Sequence, residues 1–138
     1  MIIDAKNLII GRFATVVAKK ALLGEKINVI NCEKAVVSGK KSDVLARYRA
    51  RSIRGSSTKG PFIPKIPERF VKRAIRGMLP YKKPHGRSAF ERILCHRGVP
   101  AELEGKKAET IKTADFSKLP TLNYVTVEEI CKYLGGKI

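Results

Sequence analysis

The chain has 138 residues, enough for one domain burying about two-thirds of its unfolded surface. Its hydrophobic content of 43% supports a core, and no apolar run approaches the ~18 residues of a membrane span. Twenty-nine Lys and Arg against twelve Asp and Glu leave a net +17, a charge that repels itself unless a polyanion neutralises it.

The N-terminus, Met-Ile-Ile-Asp-Ala, lacks the basic-then-apolar pattern of a secretory signal, so a cytoplasmic protein is expected. Its apolar run ending at Asp4 suits a buried strand. Gly11 to Leu23 follows with helical spacing, Phe13, Val16, Val17 and Ala21 inward and Arg12, Thr15 and Lys19 on another face, before Gly24 stops it. Lys26–Asn31 alternates apolar and polar residues as a second strand does, and Ala35–Ser38 is a third apolar run. Strand, helix, strand points to parallel pairing through a right-handed crossover.

Residues 40–54 read as a helix with Val44, Leu45 and Tyr48 inward and Arg47, Arg51 and Arg54 on one face. Three prolines and two glycines then deny regular structure to 55–67. That segment is either an arm ordered by its partner or a connector. The clearest helix runs from Pro67 to Met78. Phe70, Val71, Ala74, Ile75 and Met78 form an apolar stripe, and Arg69, Lys72, Arg73 and Arg76 form a basic one. Like charges at these spacings cost a few tenths of a kcal/mol each, which nearby phosphates would offset; the alternative is a merely solvated face.

A second Pro/Gly-rich basic loop, 77–86, precedes a short helix over Arg87–Arg92 with Ala89 and Phe90 inward. Ile93–His96 is either a fourth strand or a helix continuation. The stretch 99–118 is polar, with a helical turn expected near Pro100–Leu103. Thr126-Val-Glu-Glu129 has the spacing of a capping box and opens a last helix, Val127–Leu134, ended by Gly135-Gly136.

The charge is uneven along this order. Residues 47–97 hold fifteen Lys and Arg against two acids, Glu68 and Glu91, a net +13, whereas the other 87 residues carry a net +4. Catalytic patterns are weak by comparison. Gly11-Arg12 at a helix entrance lacks the further glycines of a dinucleotide or nucleotide loop, and no carboxylates pair within the basic third. Cys32, Cys95 and Cys131 form no Cys-x-x-Cys, and with only His85 and His96 no zinc spacing is present. Arg97 near Cys95 could lower that thiol's pKa, which leaves a thiolate nucleophile as an alternative to plain small buried residues.

Three segments together resemble ribosomal protein thirteen of the large subunit. They are Ile3-Asp4-Ala5 with Gly11-Arg12-Phe13-Ala14; Asn31-Cys32-Glu33-Lys34-Ala35-Val36-Val37-Ser38-Gly39; and Arg76-Gly77-Met78-Leu79-Pro80 with Gly86-Arg87. Lys59-Gly60-Pro61-Phe62 with Pro64-Lys65-Ile66-Pro67 is similar to the archaeal and eukaryotic branch. The likeness runs from residue 2 to about 99 and resumes in the final helix; Phe13 stands where leucine is usual. It implies a three-layer α/β/α domain, with a four-stranded parallel sheet of order 3-2-1-4, that is built into large-subunit ribosomal RNA and performs no catalysis.

The combined expectation is one domain over 1–138, with 1–46 and 98–138 as scaffold and 47–97 facing RNA. The residues expected to bind RNA are Arg47, Arg49, Arg51, Arg54, Lys59, Lys65, Arg69, Lys72, Arg73, Arg76, Lys82, Lys83, Arg87 and Arg92. Partners are large-subunit ribosomal RNA and neighbouring ribosomal proteins, with no cofactor, metal, membrane or small-molecule substrate. Phosphate contacts should dominate. Base stacking should be minor, since few aromatic residues, Phe62, Phe70, Tyr48 and Tyr81, lie among the cations and Phe70 is assigned to the core. An RNA-modifying or nucleotide-using enzyme, and a free translational regulator, are the competing classes.

Overall fold

The computed structural model describes residues 1–137 and has a mixed α/β architecture. Strand β1 (Ile2–Asp4) leads into helix α1 (Ile10–Leu22), whose buried Phe13, Ala14, Val17, Ala18 and Ala21 follow the helical period read from sequence. Val16 is only half-buried. Gly24, at φ +102°, ends α1: its N–H bonds the Ala21 carbonyl and that of Glu25 bonds the Lys20 carbonyl, the paired closure of a Schellman motif.

Strand β2 (Ile27–Ile30) returns parallel to β1, with Ile3 opposite Val29, as the strand–helix–strand order requires. A 3-10 turn (Cys32–Lys34), strand β3 (Val36–Ser38) and helix α2 (Lys41–Ile53) follow. Helix α3 (Pro67–Arg76) starts at its proline, and helix α4 (Pro84–Glu91) precedes strand β4 (Ile93–Cys95). The apolar run at Ile93 is thus a strand, paired parallel to β2. A short strand β5 (Tyr124–Thr126) runs directly into helix α5 (Val127–Tyr133).

The sheet differs from the four-stranded expectation. Three parallel strands lie in the order β1-β2-β4, so β2 is central and β4 takes the side where β3 was expected. Hydrogen bonding explains the change. The open edge of β1 is occupied by Glu109, which accepts from the Asp4 N–H and donates to the Ile2 carbonyl. Strand β3 instead donates from Val36 to the Leu8 carbonyl and pairs antiparallel with β5, Val37 opposite Val125.

Two helix boundaries also move. Helix α3 stops at Arg76, so Met78 leaves the apolar stripe and is exposed while Leu79 is buried in its place. Helix α4 begins at Pro84, three residues before the expected Arg87, because proline suits a first helical position whose N–H needs no partner. That early start brings Gly86 against the Pro80 backbone, where a Cβ would stand 2.1 Å from the carbonyl oxygen.

One continuous apolar cluster joins the sheet residues Ile3, Ile27, Val29 and Ile93 to Phe13 and Val17 of α1, Val71 and Ile75 of α3, and Ile130 of α5. Helix α1 packs on α3 and α4, while α3 also meets β4 and α5. The basic third of the chain is therefore anchored to the core through the apolar side of α3.

Candidate nucleic-acid interface

Helix α3 sorts its residues by face. Phe70, Val71 and Ile75 are buried, Arg69 is exposed, and Lys72, Arg73 and Arg76 are half-buried along the stems with their charges toward the surface. The Phe70 ring reaches the Tyr48 ring of α2, centroids 5.1 Å apart and tilted by 57°, which ties the two basic helices together.

Aromatic rings hold several of the cations. Arg47 and Arg51 lie over Tyr48 at 5.6 and 5.9 Å, Lys72 lies 4.8 Å from the Phe90 centroid, and Arg76 lies 5.0 Å from that of Tyr81. These contacts restrict long side chains without neutralising them. Among the described residues the two ion pairs, Lys41–Glu129 at 3.3 Å and Lys132–Glu128 at 2.5 Å, both lie outside 47–97. The fourteen expected RNA-binding cations therefore carry no carboxylate partner there.

The loop between α2 and α3 is less open than its composition implied. The Gly60 N–H bonds the Ser56 carbonyl at 2.9 Å, Ser56 Oγ accepts from the Lys59 N–H, and Arg73 donates to the Phe62 carbonyl. The anchored loop divides the basic surface into connected grooves. One, of about 440 Å³, lies between Phe62 and Phe90 and is bordered by Arg69, Lys72, Arg73 and Arg76. A second, of about 450 Å³, lies between α2 and α3 and is bordered by Arg51, Arg54 and again Arg73. A third holds Arg76, Tyr81, Lys82 and Lys83. Arg73 and Arg76 thus join the three.

Not every expected residue lies on these grooves. Arg49 sits in another depression beside Ile53 and Tyr133. Lys65 lies beside the C-terminal glycines. Arg92 turns to the C-terminal end of α1, where its guanidinium donates to the Ala21 carbonyl at 3.3 Å, and borders a separate groove with Lys26. That contact satisfies a helix-end carbonyl and places a cation at the negative pole of α1. Lys59 and Arg87 are exposed outside the three grooves. Sequence reading passed over α1: Thr15 Oγ1 lies 3.5 Å from Met78 Sδ, so the helix face carrying Arg12 and Lys19 borders the end of α3. The signal was present, because Arg12, Thr15 and Lys19 share a face by spacing alone.

Cys32 and Cys131 are poor candidates for a nucleophile. Cys32 is buried and its thiol donates to the Val29 carbonyl at 3.6 Å; the neighbouring Cys95 thiol and burial both push its pKa up. Burial pushes Cys131 up to about 12. Both shifts disfavour the thiolate that nucleophilic chemistry needs.

Against this geometry, the family model described as "Ribosomal protein L13" matches residues 1–102. The chain belongs to the ribosomal protein L13 family. Curated relatives extend the likeness to nearly the whole chain. The large ribosomal subunit protein uL13 of Archaeoglobus fulgidus is 47% identical over 97% of this chain and 86% of its own length. That of Methanosarcina barkeri is 45% identical over 99% of this chain and 98% of its own. That of Natronomonas pharaonis is 41% identical over the full chain and 92% of its own length. The L13 relatives thus include counterparts of β5 and α5, which lie beyond the region matched by the family model.

Proposed function

We propose that this chain is a structural constituent of the large ribosomal subunit, acting in the cytoplasm as a single domain that binds and stabilises large-subunit ribosomal RNA. The observation that carries this reading is the row of uncompensated cations on three joined grooves, from Arg51 and Arg54 through Arg69, Lys72, Arg73 and Arg76 to Lys82 and Lys83. Membership in the L13 family supports the same assignment and a structural rather than catalytic role. Guanidinium forks hold phosphates bidentately, and the narrow loops admit close approach of backbone to backbone. Such contacts position RNA strands and screen their mutual repulsion without reading sequence. Arg47, Arg49, Lys59, Lys65 and Arg87 extend the contact beyond the grooves, with neighbouring ribosomal proteins completing the surroundings.

Sucrose-gradient fractionation tests this. The chain should sediment with large subunits at moderate salt and be released as salt rises. A chain that stays at the top of the gradient would overturn the reading.

A further inference from the structure

The groove beside α3 combines features that phosphate binding alone does not require. Its rim is Phe62, 66% exposed although it is a large aromatic side chain. Phe70 is buried, while Tyr48 and Tyr81 carry arginines and Phe90 carries Lys72. Phe62 is therefore the ring of the basic third that offers an open face. Its position is built into the loop. Arg73 fixes its carbonyl, Pro61 and Pro64 flank Phe62 and Ile63, and Gly60 at φ +84° has no Cβ where one would come within 3.0 Å of the ring. The groove's volume of about 440 Å³ falls within the ~300–1,000 Å³ of small-molecule sites.

We propose that this groove receives one unpaired RNA nucleobase, stacked on Phe62, with its phosphate held by Arg69 and Arg73. The inference rests on the RNA-binding reading above and adds a stacking site to a surface otherwise expected to contact only the backbone. An aromatic platform beside cations is how single-stranded nucleic acid is held, and it tolerates any base because every base has a π-face. A protein side chain could also cover Phe62, but the guanidinium groups bordering the groove favour an anionic ligand with a flat apolar part.

The test uses the full-length chain and three labelled probes: an oligoadenylate, an abasic ribose-phosphate oligomer of equal length, and an RNA duplex. The sequence has no tryptophan, so Phe62→Trp places a sole indole reporter on the rim. Its emission should be quenched by oligoadenylate and unchanged by the abasic oligomer. Phe62→Leu keeps an apolar side chain but removes the ring, and should weaken oligoadenylate binding about five- to a hundred-fold, the loss of one stacked base. Abasic and duplex binding should be unaltered. Arg69→Ala with Arg73→Ala should weaken all three. Equal losses of oligoadenylate and abasic binding in Phe62→Leu, or an indole that ignores oligoadenylate while the duplex still binds, would overturn the base site and leave the electrostatic reading intact. Failure of the wild-type chain to bind any of the three at low salt would overturn both.

Discussion

Gly136 rests directly on the backbone of Lys65: a Cβ there would stand 2.2 Å from the Lys65 carbonyl oxygen. The glycine pair after α5 therefore does two jobs. Gly135, at φ +82°, turns the chain, and the Gly135 and Gly136 N–H groups bond the Lys132 and Cys131 carbonyls in a Schellman closure. The same turn clamps the basic loop from below. Gly136→Ala is expected to cost about 1–3 kcal/mol through overpacking, read as an earlier thermal melt. Lys65→Ala should melt close to wild type, because the crowded atoms belong to the main chain.

The two faces of α3 should give separable phenotypes. Ile75 is fully buried, so Ile75→Ala is expected to cost ~2–5 kcal/mol. Combined Arg69→Ala, Arg73→Ala and Arg76→Ala should leave the core intact while reducing incorporation into large subunits. Melting of the free protein and its occupancy in assembled subunits, measured side by side, check both. An arginine variant that incorporates like wild type would mean that this face is only solvated.

Binding to ribosomal RNA fragments should be strongly salt-dependent. Six to ten phosphate contacts, an order-of-magnitude count for the grooves, give a log–log slope near ~−5 to −9. Titrations at several salt concentrations measure it, and each groove arginine replaced should lower the magnitude by about one. A slope flatter than about −2 would contradict phosphate-dominated binding.

Much of this was legible in the sequence, because helices advertise themselves by period. The stripes of α1 and α3 gave the core residues Phe13, Val17, Phe70 and Ile75, and the Thr126 cap was readable: its hydroxyl accepts from the Glu129 N–H at 3.3 Å. The carboxylate of Glu129 turns to Lys41 rather than back to the cap. The pairing of short strands was not legible. Three residues such as Tyr124–Thr126 carry no period, and Glu109 reaches β1 through backbone groups that every residue possesses. At the proposed interface, charge density pointed to the third of the chain that lines the three grooves. The turning of Arg92 to the end of α1 depended on a tertiary contact across 71 positions.

Alkaline pH should destabilise the fold. In the folded chain Cys131 is pushed up to about 12 from an ordinary 9.0, so the native state keeps a proton that the unfolded chain releases. The contribution is present below about pH 9 and is lost progressively as pH rises toward 12. Cys32 shifts in the same direction, through the neighbouring Cys95 and its burial. Melting temperature should fall above about pH 9, and Cys131→Ala should flatten that fall even if it lowers stability throughout. A melting temperature independent of pH in this range would show that neither thiol stays protonated by burial.

The antiparallel pairing of β3 with β5, extended by the Val127 N–H bonding the Ala35 carbonyl, sets a schedule for biosynthesis. Strand β3 emerges during translation before helices α2, α3 and α4, yet its partner follows all of them. Until then its edge stays open, and the place of Ile130 in the core is vacant. The cationic helices are complete well before the closing strand arrives, so a growing chain displays its polyanion-binding surface on an unfinished body. Emergence of β5, rather than of the basic segment, is the event that lets this fold close.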